Sequence, residues 1–168
     1  MKKIFALLLV TILAMTATAS AATYTHEHLT FEYNDSFFEI TMEDHGDEED
    51  MVILHDKNQG GIRIHLRDME DGEKFPTLQD FAELEQGLNT KVTQGEWNGY
   101  KDVFMYDVDD GETLEATFIV PIYDDDDREV EDMLTVKICV THLDDEETAM
   151  ARDDKISEVV DTLKVLDD

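Results

Sequence analysis

Residues 96–120 read EWNGYKDVFMYDVDDGETLEATFIV, and this stretch decides the fold. Asn98-Gly99 stands between two extended, aromatic-rich runs. That is the strongest short hairpin signal, because a tight two-residue turn needs positive φ at both central positions. A second turn follows at Asp109-Asp110-Gly111, where glycine supplies the left-handed conformation. Beyond it Leu114, Ala116, Phe118 and Val120 fall on one face of a strand of period two. The centre of the chain is therefore an antiparallel meander.

The pattern extends in both directions. Upstream, Leu29, Phe31 and Tyr33 alternate with Thr30 and Glu32, and FFEITM (37–42) follows the turn cluster Asn34-Asp35-Ser36. MVILHD and GIRIHLR flank Lys57-Asn58-Gln59-Gly60 as a hairpin. Counting back from its turn predicts Met51, Ile53, Ile62, Ile64 and Leu66 on one face. Downstream, IYDDDDREVED (122–132) is a solvated connection into the longest strand, EDMLTVKICVTHL. Cys139, the only cysteine, is expected there as a small buried core residue.

Two segments carry helical period. FPTLQDFAELEQGLN (75–89) has Thr77 as N-cap, Asp80 as an imperfect capping box and an apolar stripe of Leu78, Phe81, Leu84 and Leu88. DKISEVVDTLKV (154–165) has Asp153 as cap and Ile156, Val159, Val160 and Leu163 at helical spacing. Apolar residues on both faces of the late strands call for a layer on each side. The expectation is a single α+β domain over 22–168, a central antiparallel sheet flanked by helices.

The first residues, MKKIFALLLVTILAMTATASAA, carry a basic n-region, an apolar run from Ile4 to Met15 and an A-x-A site at Ala19–Ala21. They read as a Sec-type signal peptide over 1–21, which implies a bacterial protein that is periplasmic or secreted. Cleavage would leave 147 residues with 11 basic against 42 acidic side chains, a net charge of −31. Nucleic acid and anionic membrane surfaces are excluded as partners by that charge, since both require a basic footprint. Basic proteins, polyamines and metal ions remain.

The order of FEYNDSFFEI, a hairpin, TLQDFAELEQ, EWNGYKDVFMY, further strands and a closing ISEVVDTLKV helix resembles the PsbP-like fold family. The resemblance implies an α/β/α sandwich with a central antiparallel sheet, and a non-catalytic binding or assembly role. No functional residue of that family matches a position in this sequence.

Few residues suggest chemistry. His26 and His28 form an H-x-H pair that could share a metal from one strand face, expected opposite Leu29, Phe31 and Tyr33 and towards solvent. The acidic turns at Gly72 and Gly111 do not carry the ligand spacing of a calcium loop. Asp124, Asp125, Asp126 and Asp127 form the densest negative run, open to a basic partner or a loosely held divalent cation. Arg63, His65 and Arg67 alternate with Ile62, Ile64 and Leu66. They form either an anion or carboxylate pocket or, as the surplus of carboxylates favours, internal ion pairs. No G-x-S-x-G, P-loop or G-x-G-x-x-G is present. The functional expectation is a non-catalytic acidic binding module without a cofactor that docks a basic protein partner. The alternative is a divalent-cation binder using His26, His28 and the acidic loops, and a cryptic hydrolase is the weakest reading.

Overall fold

The computed structural model describes residues 21–26, 28–45, 49–56, 60–70, 72–81, 90–124 and 129–166. Among these residues ten strands and one helix follow in order: β1 (Ala21–His26), β2 (Leu29–Asn34), β3 (Phe38–His45), β4 (Glu49–Asp56), β5 (Gly61–Asp68), β6 (Thr93–Trp97), β7 (Tyr100–Asp109), β8 (Thr113–Tyr123), β9 (Val130–Thr141), α1 (Glu146–Thr162) and β10 (Lys164–Val165). They form a seven-stranded sheet, ordered β3-β4-β5-β9-β8-β7-β6, and a three-stranded sheet, β1-β2-β10. Every pairing among the described strands is antiparallel.

This corrects the helix-flanked α/β/α expectation. The described chain is mostly β, with a sheet-on-sheet core and one helix. The inner face of the large sheet carries Val52, Leu54, Ile62, Ile64, Leu66, Val120, Leu134 and Val136, all buried, in one cluster with Tyr24, Leu29 and Phe31 of the small sheet. Helix α1 adds Ile156 and Val159 to that cluster, with Leu163 just beyond its end. The layer over the sheet is therefore built from both chain ends. The predicted helix 75–89 is a turn over its described part, through Phe81, and residues 82–89 lie outside the described residues. Phe75 still stacks on Phe104 of the sheet's outer face and Phe81 packs against the same ring at a tilt, whereas Leu78, expected in the apolar stripe, is exposed. The Thr77–Asp80 capping pair is half present: Thr77 N–H donates to the Asp80 carboxylate at 2.6 Å.

The meander follows the opening reading. Asn98 and Gly99 take φ of 50° and 85°, and Gly111 takes 87°. Leu114, Ala116, Phe118 and Val120 share a face, registered against Val140, Ile138, Val136 and Leu134. The β4–β5 hairpin differs by one residue from expectation. Val52 pairs Ile64 and Leu54 pairs Ile62, so Met51 and Ile53 lie on the outer face with His65 and Arg63. A one-residue slip exchanges the faces of a whole strand, and here the turn sets it. Asp56 accepts Gly60 N–H through its carboxylate at 2.8 Å and donates its own N–H to Gly60 O at 3.1 Å, which puts His55 opposite Gly61. Gly61 is required at that point, because a Cβ there would lie 2.7 Å from Leu54 O. Gly61→Ala is expected to destabilise the domain by about 2 kcal/mol, read as a lower urea midpoint at unchanged slope.

Helix α1 begins eight residues before the predicted Asp153 cap region, at Asp145, whose side chain accepts Thr148 N–H at 2.8 Å. It stops at Thr162, because Leu163 is extended and residues 164–165 pair with Thr30 and Leu29 of β2. Its last turn has no basic residue. Instead the β6–β7 turn reaches over, and Asn98 Nδ2 donates to Val160 O at 3.0 Å and Leu163 O at 2.9 Å. Buried Arg152 ties the helix to the end of β9, donating to Thr141 O at 2.6 Å. Among the described residues no helix is long and apolar enough to cross a membrane.

Candidate functional site

Three groups of side chains stand out, and β-pairing builds each of them. The first lies on the outer face of the large sheet, where odd-numbered residues of β5 and β9 point together. Cross-strand register produces the row Ile53–Arg63–Lys137–Thr117–Tyr106. Of the three cations expected together on β5, His65 and Arg67 are held by acids. His65 Nε2 lies 3.0 Å from Glu49 Oε2. Arg67 grips Glu73 with two hydrogen bonds of 2.8 and 2.5 Å. That grip holds the Glu73 carboxyl down at about 2, with help from Glu70 N–H. Arg63 differs: it is exposed and forms no ion pair or hydrogen bond among the described residues. Its neighbour Lys137 pairs with Glu115 at 2.8 Å. Cys139 faces the same way, exposed rather than in the core as expected, because Val136, Ile138 and Val140 take the inward positions of β9.

The second group lies at the seam between the two sheets. Strands β1 and β2 pair antiparallel, so His26 sits opposite Leu29 and shares its face. The histidine therefore leans over the rim of the core, not out to solvent as a single continuous strand would have placed it. Its Nδ1 lies 3.7 Å from Oδ1 of buried Asp50. Tyr24, two residues earlier, stacks on Phe31, and burial with Glu43 and Asp50 nearby pushes its hydroxyl up to about 12. At the end of the same inner face Asp68 of β5 stands directly across from Asp132 of β9. Met69 N–H donates to Glu131 O at 2.8 Å, which makes 69/131 a hydrogen-bonded pair and 68/132 the closer, non-hydrogen-bonded kind. Burial, then the Asp68 and Glu131 charges, push the Asp132 carboxyl up to about 6, while His28 pulls the other way. The two histidines thus face carboxylates individually. Among the described residues no group of three or more His, Cys, Asp or Glu side chains is placed to hold one metal ion.

The third group was not singled out by the sequence. The β7–β8 turn and the β9–α1 connection meet at one end of the molecule, joined by His142 N–H to Glu112 O at 2.8 Å and His142 Nε2 to Asp109 Oδ1 at 3.0 Å. Exposed Asp109, Asp110 and Glu112 there adjoin exposed Asp144, Asp145, Glu146 and Glu147. The two acidic runs are more than 30 positions apart, and only the long β8–β9 pairing brings them together. Within this group Asp110 is a turn anchor, its carboxyl held below the usual range by Thr113 and Glu112 N–H donors. Asp145 is likewise held low by Thr148. At the opposite end, Asp124 N–H closes the β8–β9 loop on Glu129 O at 3.0 Å, and Asp125, Asp126 and Asp127 lie outside the described residues.

In comparison with known proteins, no family model matches the chain and no curated protein is similar to it. The functional reading therefore rests on these three arrangements.

Proposed function

We propose that the chain is an exported, non-catalytic binding module, periplasmic or secreted, that docks a basic protein partner against its acidic surface. The observation that carries this is the paired acidic end. Asp109, Asp110, Glu112, Asp144, Asp145, Glu146 and Glu147 are exposed side by side, with His142 as their one close cationic contact among the described residues. Elsewhere several of the scarce cations are engaged internally, in Arg67–Glu73, Lys137–Glu115, Arg152–Asp153 and Lys155–Glu158. A net charge of −29 therefore projects outward as a field that attracts positive surfaces and raises their encounter rate.

Capture from the native secretome tests the reading. The bound proteins are expected to be basic and to dissociate as salt rises, because rim charges act through screened, long-range attraction. Replacing Glu112, Asp144, Glu146 and Glu147 by their amides, which leaves the Asp110 and Asp145 caps intact, is expected to weaken capture about tenfold. Capture that ignores ionic strength, or survives the four substitutions, defeats the proposal.

A further inference from the structure

The outer-face row holds an arrangement that an acidic protein has no structural need to build. Arg63 and Lys137 stand directly opposite each other on β5 and β9. Like charges in that position repel. With far more carboxylates than cations in the chain, both could have been neutralised internally. Among the described residues only Lys137 is, by Glu115. Next in the row, Thr117 is 3% exposed, and its hydroxyl has no hydrogen-bond partner. Leaving a buried hydroxyl unmatched is unfavourable, and such groups in a folded protein call for an explanation. Thr117 and Lys137 form the closer kind of cross-strand pair, since the 112/142 pair two rungs of the register away from 114/140 is hydrogen-bonded and odd positions of β9 therefore are not, towards β8.

We infer that Arg63, Lys137 and Thr117 form a binding site for a carboxylate attached to an apolar group. The local charge decides the ligand class. Arg63 and Lys137 bring two positive charges and Glu115 one negative, which leaves one to be matched by a monoanion. A phosphate dianion would overfill that balance beside Glu115 and against the negative field of the whole molecule. Guanidinium also matches a carboxylate in a two-point grip. Neighbouring strands lie about 4.8 Å apart, so a carboxylate over Lys137 lies within reach of Arg63 on one side and of the Thr117 hydroxyl on the other. Entry is over Lys137, whose side chain is 40% exposed. Ile53 and Tyr106, both partly buried, end the row and offer apolar contact to what the carboxylate carries. The site is distinct from the acidic end, and its test does not depend on the partner proposed above.

Amide NMR titrations with sodium hexanoate, hexanol and inorganic phosphate test the assignment. Hexanoate is expected to shift the amides around Arg63, Thr117 and Lys137 in a saturable manner, with hexanol and phosphate at least tenfold weaker. Arg63→Gln is expected to weaken hexanoate at least tenfold. Thr117→Val is expected to weaken it about threefold while the melting temperature holds or rises, which a merely structural role for the threonine would not give. A capped peptide with a free C-terminus and an apolar last residue, compared with its amide, identifies the source. Tighter binding than hexanoate assigns the site to a chain terminus, and weaker binding assigns it to a free small carboxylate. Hexanoate affinity unchanged in Arg63→Gln, or phosphate bound more tightly than hexanoate, overturns the inference.

Discussion

Asn98→Ala is expected to lower the stability of the domain by about 2–3 kcal/mol, one of the largest effects of any exposed side chain. The residue does two separate things. Its φ of 50° places it in the left-handed region, where alanine is disfavoured by about 1 kcal/mol. Its amide also donates to Val160 O, which accepts as well the long 3.4 Å bond from Leu163 N–H, and to Leu163 O just past the end of α1. Each such bond contributes about 1 kcal/mol net. No basic side chain in the last helical turn can substitute for it. Asn98→Gly separates the two contributions, since glycine keeps the turn and loses only the hydrogen bonds. The expected order of urea midpoints is wild type, then Asn98→Gly, then Asn98→Ala, with a fall of roughly 5–10 °C in melting temperature for the alanine variant. Equal midpoints for all three would show that the turn does not hold the helix.

Asn98 also shows what local sequence reveals and what it conceals. The Asn-Gly pair announced its own hairpin, because that signal is a property of two adjacent residues. Its hold on α1, more than 60 positions away, has no local trace. The same division runs through the fold. The meander from β6 to β9 was legible, since its turns are short and its alternation is regular. The second layer was not. Lys164 and Val165 continue the helical spacing of Ile156, Val159 and Leu163, yet they pair with β2, a strand from the other end of the chain. Period cannot distinguish a last helical turn from two residues of strand when a distant edge is open to pairing. The error in β4 had a different origin. Alternation fixed the two faces of MVILHD but not which one was inward, and the Asp56–Gly60 turn contacts decided it.

Site residues divide in the same way. Arg63, His65 and Arg67 were correctly placed on one strand face by alternation, but their fates depend on neighbours that the sequence does not order. Glu49, directly across from Arg67, pairs instead with His65. Glu73 arrives from the loop after β5 to hold Arg67, and among the described residues no acid reaches Arg63. Lys137 and Thr117 join the row only through the β5-β9-β8 order, which pairs Arg63 with Lys137, 74 positions on, and Lys137 with Thr117, 20 positions back. His26 was misplaced because it and Leu29, read as one continuous strand, belong to two strands that pair antiparallel across from each other.

Asp132→Asn is expected to leave stability unchanged near pH 4 and to raise it by about 1–2 kcal/mol above pH 6. The carboxyl is raised from 3.8 to about 6 by burial, by Asp68 across the ladder and by Glu131 beside it, with His28 opposing. A raised folded-state value means that the native protein holds a proton which the unfolded chain releases earlier. The stability this provides is fully present below about pH 4 and is lost as pH rises through about 6. A two-unit shift corresponds to about 3 kcal/mol, and partial exposure of the group reduces it to the smaller figure given. The amide mimics the protonated form without titrating, so the variant should show a flatter stability profile between pH 4 and 7. Asp68→Asn removes the same repulsion from the other strand, and the double variant should gain no more than the better single one, because both substitutions remove one shared interaction. His28→Gln supplies the converse test. Losing the His28 side chain, which opposes the rise at Asp132, should raise the midpoint of the stability loss towards neutral pH, whereas a pH profile identical in the wild type and all four variants would place the titration elsewhere.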